Sequence, residues 1–452
     1  MTDRDVLDEL IDTNVKKVKV AVTDIDGYLR GKLIHIDKFQ SALEKGFGFC
    51  NVVFGWDSSD TCYDKCEYTG WHTGYPDALV KLDLNTLRRI PWDNGQVFVL
   101  GDFIESESKA PLGICPRNIL KKVIDRAKKI GFNPLCGCEF EWFNFKETPN
   151  SLYDKQHVDP LPLTPGMFGY SLLRMSSNQE YFNNIMDMNE DFNIPIEGLH
   201  TETGPGVFEA AIKFSDALEA ADRAQLFKSA VKEIGKIHDI TASFMARWNT
   251  EFPGCSGHIH QSLVDENGAN LFYDVAAKHQ MSQIFSQYIA GLVHCTPEFL
   301  LMMAPTVNSY KRLVKGFWAP TSATWGIDNR TCAFRVISGG SSSTRVEVRV
   351  PGADMNPYLS LAASIAAGLY GIENNLSLEQ NPIKGNGYDD QLAQTFPDFL
   401  PQATQRFAES EIAKEYFGEE FVNHYALTRR WEWQQAKEAV TDWELKRYFE
   451  GI

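Results

Sequence analysis

The sequence predicts an α+β fold in two parts: a small N-terminal domain rich in strands, and a larger domain in which strands alternate with long helices. Three observations support this prediction. The chain has 452 residues, which at about 100–200 residues per domain exceeds one ordinary domain. A hairpin pattern lies near its start, and several later strands have ionisable side chains on one face. We place the domains at residues 1–110 and 111–452.

The N-terminal domain is expected to begin with a short helix and to continue as paired strands. One side of the helix contains Val6, Leu7, Leu10 and Ile11. The segment KKVKVAVTDIDGYLRGKLIHI then alternates apolar and polar residues around DGYLRG, which is typical of two strands joined by a glycine turn. The segment KLDLNTLRRIPWDNGQVFVLGDFI supplies further short strands.

A helix marks the change to the second domain. In APLGICPRNILKKVIDRAKKIG, Pro111 and Pro116 precede residues at helical spacing, and the pattern ends at Gly131. Beyond it we expect long helices at 214–239 and 279–293, and an amphipathic helical tail that begins at RRWEWQQ.

The overall composition limits the class of protein. A net charge of −16 argues against binding to nucleic acid or to an anionic membrane. The nine cysteines show neither zinc-ribbon nor thioredoxin spacing, which indicates reduced thiols. The N-terminus does not resemble a signal peptide, and no run of about 18 apolar residues occurs, so we expect a cytoplasmic protein without a membrane span.

Four strand-like segments have ionisable residues at a spacing of two. In GCEFEWFNF, residues 137–145, a strand presents the carboxylates of Glu139 and Glu141 on one face. The other segments are HTETGPGVFEAAI with Glu202 and Glu209, SGHIHQSLV with His258 and His260, and TRVEVRVPG with Arg345, Glu347 and Arg349. For any one of them, the solvated face of an antiparallel sheet is a sufficient explanation.

Together, the four segments favour the polar interior of a closed or strongly curved sheet. Their charged residues mix Glu, His and Arg, and the flanking glycines let a ligand approach the backbone. Carboxylates that face one another take up protons or bind cations. Five glutamates and a histidine suit two Mg²⁺ or Mn²⁺ ions, and the arginines suit phosphate or carboxylate. The combination suggests phosphoryl transfer.

A basic segment, residues 308–336, accompanies these strands. It places Lys311, Arg312, Arg330 and Arg335 among Gly, Pro, Ser and Thr residues. Alone, it could equally be a surface loop with a basic face. Beside an acidic metal site, an anion-binding loop is the better interpretation.

A series of motifs resembles the glutamine synthetase family nearly end to end. In chain order they are DIDGYLRGK, CEFEWF, EGLHTETGPGVFE, SGHIHQS, NSYKRLV, WGIDNRT and RVEVRVPGADMNPYLSLAASIAAGL. The resemblance implies a β-grasp N-terminal domain and a catalytic domain with a curved antiparallel sheet flanked by helices. It also implies a homo-oligomer, often a dodecamer of two hexameric rings, with active sites between neighbouring subunits. The substrates would be ATP, L-glutamate and an amine.

The resemblance also implies roles for individual residues. One divalent ion, Mg²⁺ or Mn²⁺, would be bound by Glu141, Glu202 and Glu209, and the other by Glu139, His258 and Glu347. Glutamate would contact Gly257, Arg312 and Arg349. The nucleotide and the transferred phosphoryl group would contact His260, Ser262, Arg330, Arg335 and Arg345. Asp57 would reach the amine site of a neighbouring subunit, and Asp57, Arg330 and Glu209 would act in catalysis.

One departure from the family concerns the flap after NSYKRLV. Ammonia-using members typically have a glutamate two residues beyond the flap glycine, whereas KGFWAPT has Trp318 there. A tryptophan cannot accept a proton from ammonium, but it can pack against an alkyl or aryl group. This favours the branch that joins glutamate to organic amines. Further residues suggested for the amine pocket are Trp56, Asp57, Tyr63 and Phe317.

Three hypotheses follow. The first is an ATP-dependent ligase that makes a γ-glutamylamide through a γ-glutamyl phosphate intermediate. The second is a glutamine synthetase that uses ammonia, with Trp318 merely packing the flap. The third is an inactive structural paralogue, which the six intact metal-ligand positions disfavour. Regulation by adenylylation is not expected because the NLYDLPP motif is missing, although Tyr388 lies nearby.

Overall fold

A computed structural model describes residues 3–390 and 392–452 of the chain. The strands are β1 Lys17–Thr23, β2 Leu29–His35, β3 Phe47–Cys50, β4 Asp77–Ile90, β5 Gln96–Ile104, β6 Asn133–Phe145, β7 Ile196–Thr201, β8 Val207–Ile212, β9 Ser215–Asp216, β10 Thr241–Ser243, β11 Gly257–Val264, β12 Trp325–Ile327, β13 Phe334–Ile337 and β14 Arg345–Val348. The helices are α1 Asp3–Asp12, α2 Ile36–Lys45, α3 Pro116–Lys129, α4 Pro149–Asp154, α5 Leu172–Ser176, α6 Gln179–Asp191, α7 Ala217–Ile237, α8 Gln283–Phe299, α9 Ser309–Arg312, α10 Pro357–Glu373, α11 Leu400–Glu409, α12 Glu411–Phe417, α13 Glu419–Glu438 and α14 Asp442–Tyr448.

The N-terminal sheet has the strand order β2-β1-β5-β4-β3 within the described residues. β1 and β2 form the expected antiparallel hairpin, in register from Lys17 opposite His35 to Thr23 opposite Leu29. β1 pairs with β5 in parallel, and α2 buries Ile36, Phe39 and Ala42. This mixed sheet with its packed helix fits the predicted β-grasp domain.

The second sheet curls around the polar residues singled out from the sequence. Its order is β12-β13-β14-β11-β6-β8-β7, and β9 and β10 pair with the two ends of β6. The pairs are antiparallel except for β12 with β13. The α+β fold class is therefore confirmed.

Apolar and acidic side chains alternate along β6, and this alternation decides which face of the sheet is polar. Phe140 and Trp142 are fully buried and pack against Phe227 of α7, with ring centroids 6.2 and 5.6 Å away. Burial of such a side chain stabilises the folded state by about 1.5–3 kcal/mol. The side of β6 that contains Phe140 and Trp142 therefore faces the helices. The alternate residues, Glu139 and Glu141, therefore point to the opposite face.

Helix boundaries differ from expectation where local hydrogen bonds set them. The helix expected at 279–293 begins at Gln283, because the Ser282 hydroxyl accepts the Phe285 amide and His279 has a positive φ of 60°. It also continues to Phe299. The helical tail is broken between α13 and α14, where Thr441 forms a capping box with Glu444. Ile11, expected on the buried side of α1, is exposed.

A buried ion-pair network joins the N-terminal sheet to helices α3 and α7. The guanidinium of Arg117 on α3 binds Asp102 of β5 at 2.9 Å and Asp222 of α7 at 2.8 Å. Loss of one partner from such a network leaves an uncompensated buried charge. The exact division at residue 110 stays a prediction. Among the described helices, none is both long enough and apolar enough to cross a membrane, and all nine cysteines are free thiols.

Candidate active site

Strand register brings the predicted polar residues into neighbouring rows. His258 of β11 lies opposite Glu139 of β6, and Glu141 lies opposite Glu209 of β8. His260 faces Glu347 on β14. Because paired residues project to the same side of a sheet, these side chains converge on the concave face. We call Glu139, His258, His260 and Glu347 the histidine cluster, and Glu141, Glu202 and Glu209 the glutamate cluster.

The histidine cluster is compact. Nδ1 of His258 lies 3.3 Å from Oε2 of Glu139 and 3.4 Å from Oε1 of Glu347. Nε2 of His260 lies 3.6 Å from the same Glu139 oxygen. Donor atoms of Glu139, His260 and Glu347 lie within 4.8 Å of one another, so these three side chains can approach one small cation at once.

Positive charge already surrounds the carboxylates of the histidine cluster. Burial raises the pKa of Glu347, but the charges of Arg349 and the histidines and a hydrogen bond from Arg335 outweigh it and lower the pKa to about 2. Both histidines likewise lower the pKa of Glu139 against the effect of burial. Burial and Arg349 lower the pKa of His258 to about 4. At neutral pH the two carboxylates are ionised and His258 is neutral, as a metal ligand must be.

In the glutamate cluster, by contrast, burial and neighbouring carboxylates raise the pKa values of the acids. Burial and the charges of Glu141, Glu139 and Glu202 raise the pKa of Glu209 to about 11. Burial raises the pKa of Glu141 to about 7, and Glu202 contributes, although the Ser256 amide and Arg312 act against the rise. The cluster therefore has more negative charge than its protein neighbours compensate.

The donor atoms fit hard divalent cations. Donor atoms lie within 4.8 Å of one another in three groups of the described residues: Glu139, Glu209 and His258; Glu139, His260 and Glu347; His200, Glu202 and Glu209. Nε2 of His258 is buried and has no hydrogen-bond partner among the described residues. Carboxylates with one imidazole suit Mg²⁺ or Mn²⁺, as the sequence suggested. Glu141 is in none of the groups, and its Oε2 accepts the Ser256 amide at 2.6 Å.

Two predicted glutamate-binding arginines lie deep in the site. Arg312 is 1% exposed and donates to the Val350 carbonyl and the Ser256 hydroxyl, both at 2.9 Å. Arg349 is buried and donates to Glu347, but its Nε has no hydrogen-bond partner in the part of the chain that the structure describes. Gly257 is tightly enclosed, since a Cβ there would lie 2.8 Å from the carbonyl oxygen of Gly352.

The residues predicted to contact the nucleotide lie on the other side of the histidine cluster. Nε of Arg345 donates to Nδ1 of His260 at 3.1 Å, and Nη1 of Arg335 donates to Glu347 at 2.8 Å. Ser262 is half-buried on the same face of β11 as His260. Arg330 is exposed in the loop after β12.

Asp57 makes its contacts away from the two clusters. Its Oδ1 accepts the amides of Ser59 and Thr61, at 2.8 and 3.0 Å. Its Oδ2 accepts the indole N–H of Trp431, on α13, at 2.9 Å. The Tyr63 ring meets the Trp431 ring edge to face. The structure thus joins Asp57 to helix α13 of its own chain.

The flap presents Trp318 to the outside. Trp318 has a positive φ of 61°, which is uncommon for a residue other than glycine, and it is 54% exposed. The preceding Phe317 lies under the Arg247 guanidinium, 4.5 Å from it. Arg247 also donates to the carbonyls of Lys311 and Thr250, at 2.8 and 2.6 Å. Arg247 therefore anchors the flap beside Trp318.

Sequence reasoning missed several residues of the site. His200 lies 3.5 Å from Oε2 of Glu209, and the Tyr170 ring lies 4.5 Å from the His200 ring. Burial, with Glu202 and Glu209, raises the pKa of Tyr170. The spacing of two between His200 and Glu202 could have indicated His200. Tyr170 and Arg247 lie in segments without any such pattern.

Comparisons with known proteins identify the family to which the chain is similar. The family model described as the glutamine synthetase catalytic domain matches residues 113–448. Type-1 glutamine synthetase 2 of Dictyostelium discoideum is 53% identical, over 96% of this chain and 84% of its own. Glutamate–isopropylamine ligase of Pseudomonas sp. is 39% identical, over 97% of this chain and 96% of its own.

A solved structure has a fold similar to that of this chain. A solved complex of GmaS with ADP has a TM-score of 0.86 and 26% identity to this chain, and the match covers 99% of this chain and 100% of that one. Since the family model matches most of the chain and the relatives align over nearly all of it, this chain belongs to the glutamine synthetase family of C–N bond-forming ligases.

Proposed function

We propose that the protein is an ATP-dependent ligase that joins the γ-carboxylate of L-glutamate to an organic amine and forms a γ-glutamylamide. The observation on which the choice of amine rests is Trp318, an exposed indole on the flap where ammonia-using members typically have a glutamate. An exposed indole can cover an alkyl or aryl group but cannot balance the charge of ammonium. The relative named for isopropylamine is consistent with this choice.

In the proposed reaction, a γ-carboxylate oxygen of glutamate attacks the terminal phosphorus of ATP, and ADP leaves. The amine nitrogen then attacks the γ-carbonyl carbon of γ-glutamyl phosphate, loses a proton, and displaces phosphate. Mg²⁺ or Mn²⁺ bound to the two clusters would supply Lewis-acid stabilisation of the phosphoryl oxygens. The ATP-binding and metal-binding roles are part of the proposal.

The chain's own residues would bind and orient the reactants. Arg312 and Arg349 would pair with glutamate, because a buried guanidinium matches a carboxylate geometrically. Arg330, Arg335 and Arg345, with His260 and Ser262, would contact the phosphates and the nucleotide. Glu209 would bind metal close to the reacting carboxylate.

The amine side of the site is proposed to include a second subunit. Asp57 would approach a neighbouring chain's flap and accept a proton from the amine, and Trp431 would orient its carboxylate. This assignment requires a homo-oligomer, proposed here as a dodecamer of two hexameric rings. Residues 1–110 would then supply the Asp57 side of each site and residues 111–452 the clusters.

A second candidate function is glutamine synthesis from ammonia. The 53% identity to a protein named as a glutamine synthetase favours it. In that case Trp318 would only pack the flap, and another acid would deprotonate ammonium.

Phosphate release with ATP, L-glutamate, Mg²⁺ and a panel of amines separates the two candidates. The panel contains ammonium, methylamine, isopropylamine, ethanolamine, putrescine and aniline. We expect at least one organic amine to exceed ammonium in kcat/KM by about tenfold or more, and Trp318→Glu to move the preference toward ammonium. Preference of the wild-type enzyme for ammonium over every organic amine would reject the organic-amine proposal.

A further inference from the structure

Tyr388 has a hydroxyl group that is buried beside the flap and that the proposed reaction does not use. The residue lies in a short turn, Gly387–Asp389, and its Oη makes no well-formed hydrogen bond within the described residues. The backbone amide of Trp318 is close enough to lower the pKa of the phenol, although without good hydrogen-bond geometry. A buried hydroxyl without a partner is costly, so the group requires an explanation.

The segment around Tyr388 is fastened to the loop that contains Arg330. Trp325 donates its indole N–H to the Gln380 carbonyl at 3.1 Å. The Gly387 amide donates to the Thr331 hydroxyl at 2.7 Å. Asn329 donates to the Gly385 carbonyl at 2.9 Å. These bonds determine where the turn lies, and the position of the phenol does not depend on a flexible surface loop.

The turn lies near the arginines proposed for the amino-acid site, because Thr331 binds the Gly387 amide and, two residues further on, the Ala333 carbonyl accepts the Arg349 amide at 2.9 Å. The charges of Arg349 and Arg312 act on the phenol, but burial is the larger effect and raises the pKa of Tyr388, so the hydroxyl remains a donor at neutral pH. Within the described part of the chain, Nε of Arg349 is a second buried donor without a partner. An anion with more than one acceptor oxygen would pair with both donors.

We propose that Tyr388 is a substrate-binding residue that donates a hydrogen bond to a carboxylate of the amino-acid substrate, beside Arg349 and Arg312. The inference deepens the proposed function and rests on it. A phosphate group has the same acceptor chemistry, but Arg335 and Arg345, which are proposed for the phosphates, contact Glu347 and His260 of the histidine cluster instead. Tyr388 also lies against Trp318, where the activated carboxylate would meet the amine.

The test is Tyr388→Phe, which removes the hydroxyl and keeps the ring. We expect the KM for L-glutamate to rise about tenfold, because a hydrogen bond to a charged group is lost. The KM values for ATP and for the amine, and kcat, should change less than about twofold. The matched control is Tyr310→Phe, because Tyr310 also has a buried hydroxyl without a partner but packs near Tyr425 and Arg429.

A second measurement does not require turnover. The shift in melting temperature caused by L-glutamate in the presence of Mg²⁺ and ADP should be smaller in Tyr388→Phe than in wild type and Tyr310→Phe. Thr331→Val, which removes the hydroxyl that anchors Gly387, should reduce the shift in the same direction.

The outcomes separate the inference from the proposed function. An unchanged KM for glutamate and an unchanged shift in Tyr388→Phe would overturn the inference alone. A rise in the KM for ATP instead of glutamate would assign Tyr388 to a phosphate and reject the inference. An equal rise in the KM for glutamate in Tyr310→Phe would show only a general disturbance of the fold, and it would also reject the inference. A wild-type enzyme that neither responds to glutamate nor releases phosphate with any amine would reject both.

Discussion

The two clusters differ in how much of their charge the protein itself compensates. In the histidine cluster, Arg335 and Arg349 both bind Glu347, and the pKa of Glu347 falls to about 2. In the glutamate cluster the neighbours are further carboxylates, and the pKa of Glu209 rises to about 11. Both clusters lie on one curled sheet, and each has buried members, His258 and Glu347 in the first and Glu209 in the second.

The difference shows that one sheet face can hold acids in two electrostatic states. Glu347 is already ionised and paired, so a cation there competes with arginines. Among the described residues, Glu209 has no arginine partner, so a cation that binds there competes with protons for the carboxylate. The glutamate cluster should therefore depend more strongly on metal and on pH than the histidine cluster.

The largest effect is expected for Glu347→Gln. The change removes a proposed metal ligand, and loss of several kcal/mol of transition-state stabilisation lowers kcat about a thousandfold. It also leaves the buried guanidinium of Arg349 without its carboxylate, whereas Arg335 keeps Asp328, and the loss should cost ~3 kcal/mol of stability. Phosphate release and thermal denaturation measure the two effects. Glu373→Gln is the control, because Glu373 also pairs with an arginine, Arg126, but lies outside the site.

Glu209→Gln should likewise reduce activity, by about a hundredfold, but with the opposite effect on stability. At pH 8 the folded chain holds Glu209 protonated, whereas the unfolded chain ionises it, so folding must take up a proton. Glutamine removes that cost, and the metal-free protein should gain ~1 kcal/mol or more at pH 8. Chemical denaturation in the presence of a chelator measures this. If both variants lose stability equally, the electrostatic contrast between the clusters is wrong.

The pH dependence of the metal-free protein should also report on the glutamate cluster. The pKa values of Glu141 and Glu209 are higher in the folded chain, about 7 and 11, than the ordinary value of 4.5. The folded state then binds more protons than the unfolded state, so this contribution to stability is complete below about pH 4.5 and is lost as pH rises. Glu209→Gln should flatten the slope between pH 6 and 8, and Mg²⁺ should raise the melting temperature more at pH 8 than at pH 6. An equal Mg²⁺ effect at both values would contradict the assignment.

The smallest effect is expected for His200→Asn. His200 lies beside Glu209 without belonging to the predicted ligand sets, and its loss should weaken apparent Mg²⁺ affinity about tenfold. The KM for glutamate should stay unchanged. Titration of activity with Mg²⁺ measures the effect, and an unchanged midpoint would show that His200 only packs against Tyr170.

Much of the fold and part of the site could be predicted from local patterns. The β1–β2 hairpin follows from alternation around DGYLRG, and the shared face of Glu139 and Glu141 follows from the period of a strand. Helix α3 follows from proline and glycine at its ends. The start of α8 was misplaced because the capping bond from Phe285 to Ser282 depends on the conformation of the preceding turn.

By itself, the sequence determined the α+β class, the polar face of the catalytic sheet, the set of acids on that face and the family. These follow from periodicity and motif order, which neighbouring residues in the chain are sufficient to define. Only the tertiary structure decided how the pKa values of Glu141, Glu209 and Glu347 shift, the position of His200 beside Glu209, the anchoring of the flap by Arg247, and the burial of the Tyr388 hydroxyl. Each of these depends on burial and on charges from distant segments, since electrostatic energies change with the local dielectric and with distances that no local pattern encodes.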